Sequence, residues 1–289
     1  MSSTSKIDVA KLKASGILPQ KDPNLVTVRL RVIGGRVDVD HLDAIRKIAA
    51  SYGCDHIHLT TRQGVEIPNV GIENIDNMRA AFADAGMSFA GGGPSVRTIT
   101  ACPGAACVNG LIDPQSLAQK ISDRFGDVSG LPHKFKIGVA GCPNCCIKPR
   151  ENDLGIMGIA YKSLDSDSCT LCGKCLRTCK VPDALAIEDK RLILNEDTCV
   201  LCGGCVSACS FDAWKHEGSA YAIFVGGRMG RHPRLANRLP HPVDSEEQVL
   251  AVIDQAIRWY AENGNTKERF GAAIDRVGAD SLVRYLADM

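Results

Sequence analysis

One cysteine pattern occurs twice in this chain. CTLCGKCLRTC at 169–179 returns as CVLCGGCVSAC at 199–209, and a shift of 30 residues superimposes all four cysteines. Three closely spaced thiolates can surround one corner of a four-iron cube while a fourth reaches across to a second cube. The doubled pattern therefore predicts two [4Fe-4S] clusters, one held by Cys169, Cys172, Cys175 and Cys209 and the other by Cys199, Cys202, Cys205 and Cys179.

The cysteine content of the whole chain also points to metal ligation. The 289 residues include 14 cysteines, but the chain is long, shows no export signal, and groups its thiols at short spacings, which argues against disulfides. Zinc is the alternative metal, but it prefers paired CxxC units separated by a longer spacer. The lone Cys54 is interpreted as a small buried apolar residue.

Charge and hydropathy exclude several classes of partner. The chain has 34 Lys+Arg against 33 Asp+Glu and a net charge of +1, which gives no reason to expect nucleic acid or a membrane surface as a partner. No apolar run approaches the length of a membrane span. We therefore expect a cytoplasmic protein with no membrane insertion.

Alternating strand and helix patterns fill the first 92 residues. Strands are predicted at 26–32, 56–61, 64–70 and 87–91, with helices at 38–53 and 72–86. Asp40 is available to cap the first helix and Gly53 to end it. The order βαββαβ predicts a ferredoxin-like sandwich, a topology that by itself says nothing about function.

A second region follows the GGGP break at 91–94. A strand at 95–101 leads to Cys102, and a strand at 133–141 leads to Cys142, with Lys134 and Lys136 projecting from one face of it. A helix is predicted from Asp113 through Phe125. Another is predicted after a Ser245/Gln248 capping box, with Gly264 as its stop.

Two further close cysteine pairs lie at the ends of these predicted strands. They are Cys102 with Cys107 and Cys142 with Cys146, with Cys145 as a spare thiol. Spacing alone leaves open whether the four hold a third iron–sulfur cluster or a zinc ion. His56 and His58 lie on one side of a strand, but two histidines without further ligands are interpreted as ordinary sheet residues.

Three stretches of this sequence resemble the siroheme-containing sulfite and nitrite reductases, especially the small anaerobic type with a ferredoxin insert. They are RTITACPGAAC, LPHKFKIGVAGCPNCCIKPRENDLGIMG and GGRMGRHPRL. The resemblance implies an α+β fold with a ferredoxin-like half-domain at 1–92. It also implies a siroheme and [4Fe-4S] domain at 93–160 and 216–289, and an inserted bacterial-type 2[4Fe-4S] ferredoxin module at 161–215.

The resemblance also assigns residues. It implies that Cys102, Cys107, Cys142 and Cys146 hold a third [4Fe-4S] cluster, with Cys146 bridging to the siroheme iron. Basic residues are expected around the substrate and the siroheme carboxylates, namely Arg31, Arg62, Arg97, Lys134 and Lys136. Arg228 and Arg231 are further candidates for neutralising siroheme carboxylates.

The function implied is reduction of sulfite to sulfide, with electrons relayed through the ferredoxin-type clusters from a donor protein or subunit. Nitrite is the alternative substrate, and a non-catalytic electron-transfer subunit is the alternative class. Two departures matter: the Cys102/Cys107 pair is one residue shorter than the family's usual spacing, and the siroheme-domain unit occurs once instead of twice. The single copy predicts an oligomer or a complex with other subunits.

Overall fold

The computed structural model describes residues 9–287. The first part of this range forms a small antiparallel sheet. After helix α1 (Val9–Ala14), the strands are β1 (Ile17–Pro19), β2 (Leu25–Leu30), β3 (His58–Leu59) and β4 (Val65–Gly71), in the order β1-β2-β4-β3. Helices α2 (Val39–Ser51) and α3 (Ile75–Asp84) share one apolar core with β1, β2 and β4. Because Val26, Val28 and Leu30 alternate along β2, their side chains all enter that core.

The predicted strand at 87–91 is wrong. Within residues 87–91 only Phe89 forms a β-bridge, an isolated one with Leu30. The fourth strand of the sheet is β1 instead. Since β1 pairs with Val26, Thr27 and Val28, that edge of β2 is already occupied, and residues 88–90 reach only the end of β2.

Helix α2 begins two residues earlier than the capping prediction. Asp38 is the N-cap, and Asp40 lies in the first turn, where its carboxylate favours the positive end of the helix dipole. At the other end Tyr52 is the C-cap and Gly53 follows with φ 76°. The prediction that Gly53 ends the helix is confirmed, because that conformation suits glycine.

A five-stranded sheet forms the second core. Its strands are β5 (Thr100–Ala101), β6 (Ile137–Ala140), β7 (Leu154–Leu164), β10 (Trp214–Val225) and β11 (Asn237–Arg238), in the order β11-β10-β7-β6-β5. Strands β5, β6 and β7 run parallel, and β10 runs antiparallel to β7. The predicted strand at 95–101 is regular only over β5, while Ser95 and Val96 make isolated bridges.

Four helices cover the second sheet. They are α4 (Pro114–Phe125), α7 (Glu246–Asn263), α8 (Phe270–Val277) and α9 (Ala279–Ala287). Asp113 caps α4 by accepting from the amides of Gln115 and Ser116, and the predicted Ser245/Gln248 capping box is formed. The aromatic rings of Phe135, Tyr260, Phe270 and Trp259 meet in the core between helices and sheet.

The double cysteine repeat lies between β7 and β10. It contains helix α5 (Lys174–Thr178), the hairpin β8 (Leu185–Glu188) and β9 (Arg191–Leu194), and helix α6 (Gly204–Ala208). Strands β7 and β10 pair from Leu164↔Trp214 to Val225↔Leu154, so one long ribbon joins the repeat to the second sheet. The boundaries at 161 and 215 stay predictions. Within residues 9–287 no helix has the length and apolarity to cross a membrane.

Candidate active site

A basic cavity of about 380 Å³ lies between the first sheet and the start of β6. Four of the five basic residues predicted for the site line it, and Arg29, which the sequence reasoning missed, joins them. The cationic side chains are Arg29, Arg62, Arg97, Lys134 and Lys136. Five cations around one concave surface favour a small anion as ligand.

Arg62 is fixed by two hydrogen bonds. It follows β3 in the turn to β4, donating from Nη1 to Asn152 Oδ1 at 2.6 Å and from Nη2 to the Thr98 carbonyl at 3.2 Å. Burial lowers the pKa of Arg62 to about 10, so the guanidinium remains charged at neutral pH. Its position therefore depends on groups from the second core.

Arg97 is held by backbone carbonyls. It donates from Nη1 to Gly91 at 3.3 Å and from Nη2 to Gly93 at 3.1 Å. Burial and the neighbouring charge of Arg29 lower its pKa to about 10. Its Nε is buried and has no hydrogen-bond partner within the described part of the chain. A buried donor without a partner is costly, and this one fits a site that receives an anionic ligand.

The two lysines lie just before β6, as the alternation predicted, and both line the cavity. Burial, reinforced by the charges of Arg62 and Lys134, lowers the pKa of Lys136 to about 8. Burial and the charge of Arg269 also lower the pKa of Lys134. A lysine whose pKa lies near neutral pH can donate a proton more readily than a solvated one.

A buried ion pair lies behind Lys136. The carboxylate of Asp153 is fully buried, accepts from the Lys136 amide at 2.9 Å, and pairs with Arg269 Nη2 at 2.8 Å. Burial raises the pKa of Asp153, and the charge of Arg269 opposes that rise. Arg269 was not predicted, because no sequence pattern connects it to a strand 116 residues away.

Arg31 does not reach the basic cavity. Its Nη2 pairs with Asp127 Oδ1 at 2.8 Å, and it lines a separate cavity of about 640 Å³ beside Arg36 and Lys120. Arg31 lies one residue beyond the end of β2, and its ion pair with Asp127 holds the guanidinium away from the basic cavity.

The GGRMGRHPRL segment reaches the site through one residue. Met229 lines the cavity that contains Cys146. Arg228 donates from Nε to the His232 carbonyl at 2.9 Å, and Arg231 is exposed. Arg228 and Arg231 are thus sequence neighbours of Met229, which lines the cavity. Their role in binding siroheme stays a prediction.

The four cysteines of the two close pairs lie near one another. Cys102 Sγ accepts from the Gly141 amide at 3.1 Å. Burial raises the pKa of Cys142, and the nearby thiols of Cys102, Cys107 and Cys146 raise it further. The shortened first pair is spanned by a single 3₁₀ turn, Gly104–Ala106, so it still brings its second thiol to the group.

Cys145 points elsewhere. Its Sγ lies 3.3 Å from Met157 Sδ and packs against an apolar group formed by β7 and β10. Its φ of 52° turns the chain between the neighbouring cysteines. In this arrangement Cys145 is a packing residue.

Cys146 lines a cavity of about 330 Å³ together with Arg62 and Lys136. Since both basic residues also line the first cavity, the thiol and the cationic surface form one connected site. Thiolates are the ligands that iron–sulfur clusters require, and cations complement the carboxylates of siroheme. The donor set therefore fits both groups.

The doubled motif also forms a separate site. Cys169, Cys172, Cys175 and Cys209 line one small apolar pocket, so the structure brings together three thiols of the first copy and the last thiol of the second. In the other half, Cys199 Sγ accepts from Lys162 Nζ at 3.1 Å and from the Leu201 amide at 3.4 Å.

The two histidines of the pair have different surroundings. His56 Nδ1 lies 2.5 Å from Asp55 Oδ1, and His58 lines the basic cavity. Among residues 9–287 no three His, Cys, Asp or Glu side chains are grouped around the position of a single ion. Thiolate ligands of a four-iron cube stand farther apart than ligands of one ion.

Several known reductases are similar to this chain. A coenzyme F420-dependent sulfite reductase of Methanocaldococcus jannaschii is 32% identical over 259 residues, which span 89% of this chain and 41% of that protein. One subunit of the anaerobic sulfite reductase of Salmonella typhimurium is 31% identical, over 78% of this chain and 72% of its own length. A chloroplastic ferredoxin–nitrite reductase of Betula pendula is 28% identical over 53% of this chain and 27% of its own.

The fold and the sequence models agree with these relatives. A solved dissimilatory sulfite reductase I has a TM-score of 0.76 at 19% identity, covering 91% of this chain and 69% of that one. The nitrite/sulfite reductase ferredoxin-like half domain matches residues 18–85. The nitrite and sulphite reductase 4Fe-4S domain matches residues 92–288, so this chain belongs to the nitrite and sulfite reductase family.

Proposed function

We propose that this chain reduces sulfite to sulfide with siroheme and [4Fe-4S] clusters as cofactors. Family membership supports siroheme and one [4Fe-4S] cluster. The observation that carries the proposal is the connected site: Cys146 lines the same cavity as Arg62 and Lys136. A cluster thiolate beside a cationic surface suits the multi-electron reduction of a small oxyanion.

Cofactor binding is assigned to two sets of residues. Cys102, Cys107, Cys142 and Cys146 would hold the central cluster, and the basic residues of the cavity would lie around the substrate and the siroheme carboxylates. Siroheme coupled to a cluster supplies redox chemistry that amino-acid side chains lack. The buried Nε atom of Arg97, which has no partner among residues 9–287, supports an anionic occupant of the cavity that Arg97 lines.

The chain's own groups bind and orient the substrate. The fixed guanidinium of Arg62 offers directional donors to an oxyanion, and Arg97 adds a second planar cation. Lys134 and Lys136 contribute ammonium groups, each a donor with mobile protons. Because its pKa is about 8, Lys136 is charged at neutral pH and can still release a proton to a departing oxygen.

Sulfite is the proposed substrate over nitrite. The two sulfite-reducing relatives align over 89% and 78% of this chain, whereas the nitrite reductase aligns over 53%. The longer alignments include the doubled cysteine motif and favour sulfite. A donor protein or subunit would deliver electrons to two ferredoxin-type clusters, giving three clusters per chain. We place this system in the cytoplasm, in an oligomer or a larger complex.

Spectroscopy and turnover test the proposal together. Anaerobically purified protein should show tetrapyrrole bands as well as iron–sulfur absorption, and it should reduce sulfite faster than nitrite with a low-potential dye as donor. Lys136→Ala should lose turnover while keeping its iron and siroheme, and the exposed Lys21→Ala is the matched control. Iron–sulfur absorption without tetrapyrrole bands would instead support a non-catalytic electron-transfer subunit.

A further inference from the structure

The two halves of the cysteine repeat differ in what they contact. Gly173 and Gly203 occupy equivalent positions in the two copies. A Cβ added at Gly203 would lie 3.3 Å from the Cβ of Ala160 in β7 and 3.8 Å from Leu111 Cδ2. A Cβ at Gly173 would meet only Nη1 of Arg177, at 3.5 Å. At this equivalent position the second copy contacts β7, and the first copy does not.

The same loop of the second copy leads toward the central cysteines. The Ala160 amide donates to the Leu201 carbonyl at 2.8 Å, and Leu201 packs in the same apolar group as Cys145. Leu111 donates its amide to the carbonyl of Gly141 at 2.9 Å, directly before Cys142. Of the two ferredoxin-type clusters, the one with three ligands in the second copy is thus nearer to the central site.

Lys162 distinguishes this cluster from its twin. Its Nζ lies 3.1 Å from Cys199 Sγ and 6.0 Å from the ring centroid of Trp214, and the side chain is half-buried. Cys169 is the equivalent thiol of the first copy. No side-chain donor to its sulfur is described within residues 9–287.

We propose that Lys162 raises the reduction potential of the cluster held by Cys179, Cys199, Cys202 and Cys205. Hydrogen bonds to the sulfur ligands and nearby charge set the potential of an iron–sulfur cluster. One-electron reduction makes the cluster more negative, and a cation beside a ligand stabilises that state. This cluster is the inner one, and its twin, held by Cys169, Cys172, Cys175 and Cys209, is the outer one. A higher potential of the inner cluster favours the passage of electrons from the outer cluster toward the central cysteines. This inference rests on the proposed function, because it needs both ferredoxin-type clusters.

A potentiometric titration followed by electron paramagnetic resonance tests the role of Lys162. Dithionite supplies one electron per cluster, and each midpoint potential is measured in wild type, Lys162→Met, Lys162→Arg and Lys215→Met. Lys215 is the matched control. It pairs with Ser163, the residue after Lys162, and because side chains alternate along a strand it projects from the face of the ribbon opposite to Lys162. Cys172→Ser and Cys202→Ser assign the signals to the outer and inner clusters.

The expected result is a shift to lower potential of the inner cluster alone in Lys162→Met, with the wild-type value kept in Lys162→Arg and Lys215→Met. An unmoved inner potential, or an equal shift in Lys215→Met, overturns the role of Lys162. If iron analysis finds no ferredoxin-type clusters in the wild type, both this inference and the proposed relay fail. Clusters that are present with an unmoved potential overturn the Lys162 inference alone.

Discussion

Gly104 and Gly141 press their backbones together where the two central cysteine pairs meet. A Cβ on Gly104 would lie 3.1 Å from the Gly141 Cα, and a Cβ on Gly141 would lie 3.0 Å from the Gly104 Cα and 3.4 Å from Cys102 Sγ. The contact brings the loop after β5 against the loop after β6, so the four thiols can share one cluster although the first pair is short.

Gly141→Ala is expected to remove the central cluster. The added methyl group meets backbone, which cannot rotate away as a side chain can, and the two loops must separate. Iron per chain should fall by about four atoms, one cube, and the tetrapyrrole bands should be lost. Gly71→Ala is the control, because its φ of −60° suits alanine and its nearest atom is the carboxylate Oε1 of the exposed Glu73 side chain, which can rotate away. Full iron content in Gly141→Ala would contradict the assignment of these loops.

Asp153→Asn is expected to destabilise the protein strongly. The substitution removes the fully buried carboxylate that pairs with Arg269, whose side chain is only 12% exposed. Breaking such a buried ion pair costs about 3–5 kcal/mol. Urea unfolding of the cofactor-free chain measures this change. The exposed pair of Asp43 with Arg46 supplies the control, since Asp43→Asn removes a screened surface interaction. Equal unfolding midpoints for the two variants would show that the buried pair contributes no more to stability than the exposed pair.

Lys136→Met is expected to raise the melting temperature of the cofactor-free chain most at neutral pH. Folding lowers the pKa of Lys136 from 10.5 to about 8. Below pH 8 the lysine is therefore charged in both the folded and the unfolded state, and folding carries the full free-energy cost of burying that charge. Between pH 8 and 10.5 Lys136 is neutral in the folded state and still charged in the unfolded state, so the cost of burial falls steadily as the pH rises. The gain in melting temperature should therefore shrink as the pH rises from 7 to 10. Lys21→Met should show no such trend, and a constant gain for Lys136→Met would refute the burial argument.

The sequence predicted the local parts of the site better than the distant ones. Lys134 and Lys136 share a face because side chains alternate along a strand, and that rule needs no tertiary information. The pairing of Asp153 with Arg269 depends on how the C-terminal helices pack across the sheet, which no local pattern encodes. The missed strand β1 has the same cause, since three residues at an edge carry too little periodicity to be recognised.

Arg29 and Arg31 show most clearly what the periodicity of a sequence cannot predict. Both occupy the polar positions of one alternating stretch, so periodicity cannot separate them. The pairing of β2 with β4 stops at Leu30, and the two guanidiniums lie in different cavities. Tertiary contacts separate them, because Arg29 pairs with Glu66 and Arg31 pairs with Asp127.

Arg29→Met is therefore expected to raise the KM for sulfite, and Arg31→Met to leave it unchanged. Arg29 uses Nε and Nη2 to hold Glu66 at 2.8 and 2.6 Å, which leaves Nη1 available to the cavity. Losing a hydrogen bond to a charged group costs about 1.5–3 kcal/mol, or roughly 10- to 100-fold in affinity. Steady-state assays on protein of equal siroheme content measure the change. A larger effect from Arg31→Met would place the substrate in the cavity beside Asp127 instead.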